Sequence, residues 1–215
     1  RLGADIEVLT GDLSEAQCPA KLVDDALKAF GGLDAVVSNA GITSPAPLID
    51  LPVSKWDKLL NVNTRATLLL AQAAHSALKD SKGALVAVAS MSGMGAHPGM
   101  GAYGPSKAAL ISLCQVLAQE WACDGINVNT VSPGMIRTPL TQKVYENNQI
   151  ARERAALVPW GRVGNPEDIS NAISFLLSPE ADYITGQNIL IDGGFVGSLY
   201  SHIPGLPDSS EIDKT

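Results

Sequence analysis

Short apolar runs alternate with longer helical patterns along the 215 residues of this chain, and this alternation limits its fold more than any other feature. The apolar runs, interpreted as strands, are residues 6–9, 33–38, 84–89, 126–131 and 187–191. The helical patterns are residues 19–30, 54–79, 103–122 and 166–177. Strands that are apolar at nearly every position are typical of parallel sheets covered by helices on both faces. The sequence therefore predicts a doubly wound, three-layer α/β/α domain.

The composition excludes several classes of function. Hydrophobic residues make up 46% of the chain and charged residues 17%, as in a globular domain, and no apolar run approaches the ~20 residues that cross a bilayer. The net charge of −7, with scattered Lys and Arg, argues against a nucleic-acid or membrane partner. The three cysteines lack metal-ligand spacing, so we predict no metal site, buried thiols at Cys114 and Cys123, and a cytoplasmic location.

Residues 86–109, VAVASMSGMGAHPGMGAYGPSKAA, carry the clearest chemical signal. Ser90 ends an apolar run, and Tyr103 and Lys107 stand four residues apart where a helical pattern begins. Residues i and i+4 share one face of a helix, so both side chains can point to one place. A lysine charge beside a tyrosine lowers the pKa of the phenol from about 10, and Ser90 can donate a hydrogen bond to the same place. This set predicts proton transfer to or from a substrate oxygen.

The pattern Ser-(twelve residues)-Tyr-x-x-x-Lys resembles the active site of the short-chain dehydrogenase/reductase family. The resemblance implies hydride transfer between NAD or NADP and a secondary alcohol or ketone. In that scheme Tyr103 is the general acid/base, Ser90 orients the substrate oxygen, and Lys107 lowers the pKa of Tyr103 and binds the nicotinamide ribose. Asn63 resembles the family residue that anchors a proton relay; the residues alone leave open a buried Asn that braces neighbouring backbone.

Further matches to the family imply a nucleotide site. Asp12 resembles the acidic residue that binds adenine, Asn39-Ala40-Gly41 a segment beside the ribose, and residues 133–138 the turn that approaches the nicotinamide. The residues assigned to cofactor binding are Asp12, Leu13, Asn39, Ala40, Gly41, Tyr103, Lys107, Pro133, Gly134, Ile136 and Thr138. From the residues alone, Asp12 and the Asn-Ala-Gly segment also fit ordinary turns. The choice between NAD and NADP stays open.

The Gly-rich phosphate loop of the family, T-G-x-x-x-G-x-G, does not precede Asp12. Gly95, Gly99 and Gly101 match its glycines, but they lack the preceding Thr and lie in the loop between Ser90 and Tyr103. We therefore expect the native polypeptide to carry about one more βαβ unit, of roughly 30–50 residues. Residues 1–197 would then be one dehydrogenase domain without its first two strands, and residues 198–215 a C-terminal tail.

The predicted substrate pocket is mostly apolar, with adaptable methionines. Its candidate wall is Met91, Met94, His97, Tyr145 and Trp160. Such a wall favours a small hydrophobic or cyclic ketone over a phosphorylated sugar. The long helices that contain Asn63 and Tyr103 resemble those of the family's subunit interface, which implies a homodimer or homotetramer.

Two other functions compete with this interpretation. A non-catalytic, dehydrogenase-like scaffold would tolerate the loss of the phosphate loop, although the complete set of four catalytic residues argues against it. A reductase of 3-oxoacyl thioesters would need a basic docking patch. The basic residues near the expected entrance are mixed with acidic ones; they are Arg137, Lys143, Arg152 and Arg154.

Overall fold

One parallel sheet forms the centre of the computed structural model, which describes residues 5–203. The strands are β1 (Ala35–Ser38), β2 (Ala84–Val88), β3 (Asn127–Pro133) and β4 (Asn188–Ile191). They lie in the order β1-β2-β3-β4, and every neighbouring pair is parallel. The predicted α/β class with a parallel sheet is confirmed.

Helices connect the strands and cover the sheet. They are α1 (Cys18–Phe30), α2 (Val53–Leu60), α3 (Ala66–Ser81), α4 (Tyr103–Trp121), α5 (Gln142–Tyr145), α6 (Asn148–Ala156) and α7 (Pro166–Leu176). A π-helical segment, Asn61–Arg65, joins α2 to α3 without a break. Shorter 3₁₀ turns occupy Leu48–Asp50, Met91–Gly93, Ala122–Asp124, Pro179–Ala181 and Val196–His202. Within residues 5–203 no helix combines the length and hydropathy needed to cross a bilayer.

The two faces of the sheet are buried by different helices, as a near-continuous apolar strand requires. Leu85 of β2 is fully buried in a cluster that includes Leu78 of α3 and Leu110 of α4. Its neighbour Val86 points to the other face and packs in a cluster with Leu176 of α7. Each such buried aliphatic side chain contributes about 1.5–3 kcal/mol to folding. The three-layer arrangement follows from this packing.

Local sequence signals set the ends of two helices. Gly31 ends α1 with a left-handed φ of 76° and donates its N–H to the carbonyl of Leu27. Asn165 caps α7, and Asp168 returns a hydrogen bond from its side chain to the N–H of Asn165, which completes a capping box. Both caps lie directly beside the helical patterns that the sequence predicts at residues 19–30 and 166–177.

Two expectations from the sequence are wrong. Residues 6–9 form no strand, and the side chains of Ile6 and Val8 are exposed, because no other described segment lies beside them to complete a ladder. Cys123 is exposed at the end of α4, whereas Cys114 is buried as expected. Residues 1–4, together with residues 204–215 of the predicted tail, lie outside the described part of the chain.

Candidate active site

The residues with chemical potential gather at the carboxyl edge of the sheet. Ser90 follows β2, Gly41 follows β1, and residues 134–138 follow β3. The carboxyl ends of parallel strands meet along one edge, which is where ligands bind in open α/β sheets. The sequence therefore delivers three loops to one crevice, and α4 brings Tyr103 and Lys107 beside them.

The Ser90 side chain lies close enough to the Tyr103 phenol to lower the pKa of that phenol by hydrogen bonding. Ser90 is buried, and its Oγ also accepts a 3.2 Å bond from the N–H of Ser92. Burial raises the pKa of the Tyr103 phenol, and the Ser90 hydrogen bond opposes that rise. The expectation that Lys107 lowers the pKa of Tyr103 is therefore wrong for this arrangement, because desolvation outweighs the nearby groups. The phenol is held in its protonated form at neutral pH.

Lys107 lies almost wholly inside the protein, with 3% of its surface exposed. Its Nζ donates a 2.7 Å hydrogen bond to the carbonyl oxygen of Val88 and lies 5.9 Å from the centroid of the Tyr103 ring. Burial lowers the pKa of this ammonium to about 8, because the charged form loses its hydration. Lys107 can therefore exchange a proton near physiological pH.

Asn63 lies in the π-helical segment and is fully hydrogen-bonded. Its Oδ1 accepts a 2.8 Å bond from the N–H of Ile42, and its Nδ2 donates to the carbonyl of Ile42 at 3.0 Å. The same Nδ2 lies 2.9 Å from Oγ of Ser106. Asn63 thus braces the backbone at Ile42, as one of the two interpretations of the sequence predicted. π-Helical turns are rare and occur often at functional sites.

Ser106 is a functional residue that the sequence interpretation missed. Its buried Oγ accepts from Asn63 and donates a 2.7 Å bond to the carbonyl of Tyr103. The hydroxyl of Thr64 donates a 2.8 Å bond to the carbonyl of Ser106. Ser106 therefore connects the first turn of α4 to the π-helical segment. Its place between Tyr103 and Lys107, three residues after Tyr103 on the same helix face, is the signal that marks it.

The segment after β1 forms a cradle beside these side chains. A Cβ added at Gly41 would lie 3.3 Å from Nζ of Lys107 and 3.5 Å from Oδ1 of Asn63. Asn39, Ala40 and Gly41 are exposed, so their backbone offers an open surface directly over a buried ammonium. Peptide groups and an ammonium suit the hydroxyl groups of a ribose. These residues therefore fit a nicotinamide nucleotide.

Asp12 lies in an exposed turn that is tied to the same region. Its Oδ1 accepts a 2.8 Å bond from the N–H of Ser14, which lowers the pKa of the carboxyl group. Arg65, the last residue of the π-helical segment, donates a 2.6 Å bond to the carbonyl of Ser14. Leu13, which lies between Asp12 and Ser14 in the sequence, is half-buried. The turn interpretation of Asp12 therefore describes its local structure, and its carboxylate stays exposed.

The loop after β3 is fixed by backbone contacts. The N–H of Gly134, which follows Pro133, donates to the carbonyl of Ile191 at 2.9 Å. Ile136 is buried and forms a bridge with Gly164. The N–H of Thr138 donates a 2.9 Å bond to Oγ1 of Thr141. This loop is thus held at the edge of the sheet close to Ser90.

A family model described as enoyl-(acyl carrier protein) reductase matches residues 1–196. The chain is 39% identical to the 3-oxoacyl-(acyl-carrier-protein) reductase FabG of Thermotoga maritima over 178 residues, which cover 82% of this chain and 71% of that protein. This chain belongs to the short-chain dehydrogenase/reductase family. It is accordingly an oxidoreductase by family.

Solved structures of the short-chain dehydrogenase/reductase family share the same fold. The 4-hydroxyisoleucine dehydrogenase complexed with NADH superimposes with a TM-score of 0.83 at 34% identity and covers 89% of this chain and 79% of its own. The RhlG/NADP active-site complex of Pseudomonas aeruginosa has a TM-score of 0.82 at 32% identity, covering 87% and 75%. Both nucleotides are therefore represented among its structural relatives.

Two members of the predicted substrate wall of this short-chain dehydrogenase, Tyr145 and Trp160, lie on the segments between β3 and α7. Tyr145 is buried, and the centroid of its ring lies 5.3 Å from the guanidinium of Arg137 and 5.6 Å from that of Arg154. Trp160 is largely exposed and borders a cavity of about 220 Å³ with Ile136.

The other three members of that predicted wall lie in the loop between Ser90 and Tyr103. Met91 is half-buried in its first turn, and Met94 accepts a 3.2 Å contact at Sδ from Nδ2 of Asn188. His97 is exposed, and its Nδ1 lies 2.8 Å from the hydroxyl of Ser92. These contacts place the loop of this family member at the carboxyl end of β2, with Met94 in contact with the first residue of β4.

Proposed function

We propose that this short-chain dehydrogenase is an NAD(P)(H)-dependent oxidoreductase that interconverts a secondary alcohol and a ketone. The observation that carries the proposal is the placement of the buried ammonium of Lys107 beside the Tyr103 ring, with the Ser90 hydroxyl close enough to act on the phenol. A general acid/base, an orienting donor and a cation are the groups that alcohol–ketone chemistry needs at one oxygen.

Tyr103 is proposed to transfer the proton. A nicotinamide nucleotide, when bound, would supply or accept the hydride. Because burial raises the pKa of Tyr103, its phenol is protonated at neutral pH and ready to give a proton to the oxygen of a ketone. Ser90 would hold that oxygen by its hydroxyl, in the place where it now contacts Tyr103. The arrangement therefore supports reduction near neutral pH.

We also propose that Lys107 and Asn63 take part in the transfer of this proton. The ammonium of Lys107 would bind ribose hydroxyls beside Gly41, and its pKa of about 8 suits proton exchange with solvent. Asn63 would anchor the relay through Ile42 and Ser106, to which it is bonded on both sides. The nucleotide would extend over residues 39–41 and residues 133–138, with Asp12 and Leu13 toward its adenine end.

The wider setting of the enzyme is also proposed. Residues 1–197 would form a single dehydrogenase domain, in the cytoplasm, that assembles as a homodimer or homotetramer through the helices containing Asn63 and Tyr103. Its partner molecule would be a small alcohol or ketone.

A second candidate function is the reduction of 3-oxoacyl thioesters. The similarity to FabG favours it, and so does a cavity lined by three arginines, described below, which supplies the concentrated positive charge that the sequence pattern obscured. The non-catalytic scaffold is disfavoured, because a scaffold has no need to bury Lys107 and Asn63 beside an open cradle.

The test is a binding and turnover assay on one sample. NADH and NADPH are titrated by fluorescence, and then a panel of neutral ketones and 3-oxoacyl thioesters is supplied with the tighter nucleotide. Binding of one nucleotide at micromolar concentration with turnover of any ketone supports the proposal. Absence of both binding and turnover would leave the scaffold as the better account.

A further inference from the structure

A cavity of about 520 Å³ lies between the loop that follows β3 and helix α6. Three arginines line it, Arg137, Arg152 and Arg162, together with Asn148 and small apolar side chains of α6. The cavity is shallow and opens widely to solvent, and its volume falls in the range of about 300–1,000 Å³ that is typical of small-molecule sites. Three guanidinium groups on one cavity of this acidic protein call for a ligand with opposite charge.

The charges in this arginine cavity are only partly neutralised. Arg162 forms a two-pronged salt bridge with Asp168, with contacts of 2.7 and 2.8 Å. Arg137 and Arg152 form no salt bridge with any of residues 5–203. The Nε of Arg152 donates to the carbonyl of Asn148 at 3.2 Å, which leaves its terminal nitrogens without an acceptor among the described residues.

One of these two guanidinium groups, that of Arg137, is held by packing. It lies over the buried ring of Tyr145, 5.3 Å from the ring centroid. The backbone N–H of Arg137 donates to the carbonyl of Gly164 at 2.9 Å, which fixes the loop that carries it. A stacked, planar guanidinium loses less conformational entropy when it binds an oxyanion than a free side chain does.

The arginine cavity shares the loop after β3 with the candidate active site. Arg137 lies between Ile136 and Thr138, in the loop that leaves β3 at the same edge of the sheet as Ser90. A substrate whose ketone reaches Tyr103 can therefore extend a second group along this loop toward α6. Two paired N–H donors on each guanidinium suit a carboxylate or a phosphate.

We propose that the arginine cavity binds an oxyanion, a carboxylate or a phosphate, at the end of the substrate remote from its ketone. The part of this proposal that concerns substrate rests on the proposed function, whereas oxyanion binding does not. Arg137 and Arg152 supply the charge and the donors. Arg162 lines the wall while it remains paired with Asp168.

The first experiment measures oxyanion binding without turnover. Inorganic pyrophosphate and citrate are titrated calorimetrically into the wild type, the double variant Arg137→Ala/Arg152→Ala and the control Lys21→Ala/Lys28→Ala. The control removes the same charge from exposed positions on α1, where both lysines contact Asp25. We expect affinity to fall about 10- to 100-fold in the arginine variant, as for loss of charged hydrogen bonds, and to hold in the control. Equal affinities in both double variants would overturn the site.

The second experiment asks which substrates use the cavity. Two matched pairs share a ketone and differ in charge: acetoacetyl-coenzyme A with ethyl acetoacetate, and 4-oxopentanoate with its ethyl ester. In the arginine variant the ratio of kcat/KM, charged to neutral, should fall about 10- to 100-fold for one pair. The coenzyme A pair identifies a phosphate, and the keto-acid pair identifies a carboxylate. Unchanged ratios for both pairs would overturn the substrate assignment.

Two further outcomes distinguish this proposal from a site for the nucleotide phosphates and from a failure of the proposed function. If the arginine variant binds NADH and NADPH about 10- to 100-fold more weakly while both substrate ratios hold, the cavity serves the nucleotide phosphates and the proposal is wrong. If no variant reduces any ketone, the proposed function fails, and the oxyanion titration alone confirms or overturns the site. The variant Arg137→Lys/Arg152→Lys, which keeps the charge, should recover only part of the affinity, because paired donors are lost.

Discussion

The ammonium nitrogen of Lys107 donates a 2.7 Å hydrogen bond to the carbonyl oxygen of Val88, the last residue of β2. This bond ties the first turns of α4 to the central sheet and keeps the lysine below the cradle at Gly41. A buried ammonium with a single acceptor loses more hydration than it regains, so its pKa falls to about 8. The charge of Lys107 is therefore sensitive to pH close to the physiological range.

Ketone reduction should decline as the pH rises through about 8. Above that pH Lys107 loses its proton, and with it the charge proposed to bind ribose hydroxyls, whereas the raised pKa of Tyr103 keeps the phenol protonated. The measurement is kcat/KM for reduction between pH 6 and 10 on the wild type and on Lys107→Arg, which stays charged. The arginine variant, if folded, should lose the decline near pH 8. A wild-type profile that is flat across this range would contradict the assignment.

The same pKa predicts how stability depends on pH. The folded-state value of about 8 lies below the unfolded value of 10.5, so the unfolded chain binds more protons between these two pH values. Stability must therefore rise with pH in that window, and the cost of burying the charge is fully present below pH 8. Relative to Lys107→Met, the wild type should gain roughly 2 kcal/mol between pH 8 and pH 10.

Urea unfolding of both proteins at pH 8 and pH 10 measures that gain, since every other titrating group is common to the two chains. A difference between the two free energies of unfolding that stays constant with pH would show that Lys107 is not desolvated as its 3% exposure indicates.

Replacing Ser90 by Ala should lower kcat/KM about 10- to 100-fold, because the substrate oxygen loses a hydrogen-bond donor as charge develops on it. The pKa of Tyr103 should rise further, since the Ser90 hydrogen bond now lowers it. Ser170→Ala is the matched control: that hydroxyl lies on α7 and bonds only the carbonyl of Glu167 among the described residues. Equal losses of kcat/KM in the two variants would contradict the proposed role of Ser90.

Replacing Asn63 by Ala should destabilise the fold by about 2–4 kcal/mol, since both backbone groups of Ile42 and the hydroxyl of Ser106 lose a buried partner. Asn61→Ala tests the same residue type two positions earlier in the π-helical segment, at a half-buried side chain without a hydrogen bond to the described residues. Its effect should stay within about 0.5 kcal/mol. Chemical unfolding of both variants decides, and equal effects would contradict the bracing geometry.

Much of the fold could be predicted from the sequence because its signals are local. The apolar run that ends at Ser90 and the helix that begins near Tyr103 both lie where their patterns placed them. The prediction of a strand at residues 6–9 was wrong because an apolar run indicates only a tendency to form a strand. A strand also needs a neighbouring strand with which to form hydrogen bonds. The π-helical segment could not be predicted from the sequence, since it is accompanied by long-range hydrogen bonds such as that from Asn63 to Ser106.

The directions of the pKa shifts at the site could not be predicted from the sequence, because they depend on how deeply each group is buried. The spacing of Tyr103 and Lys107 predicts that they are neighbours, and the ammonium does lie over the ring. Neighbourhood alone suggested a lowered pKa for Tyr103, yet burial raises the pKa of the phenol and lowers that of the lysine. Likewise the mixture of acids and bases around Arg152 concealed a cavity that only folding assembles.

The most direct test of the central claim compares Tyr103→Phe with Tyr183→Phe, which changes a fully exposed tyrosine far along the chain. Oxidation of NADH and NADPH is followed with a ketone that the wild type reduces. The proposed general acid predicts that Tyr103→Phe lowers kcat about 10²- to 10⁴-fold at saturating nucleotide, and that Tyr183→Phe matches the wild type. A Tyr103→Phe enzyme with the wild-type kcat would contradict the account.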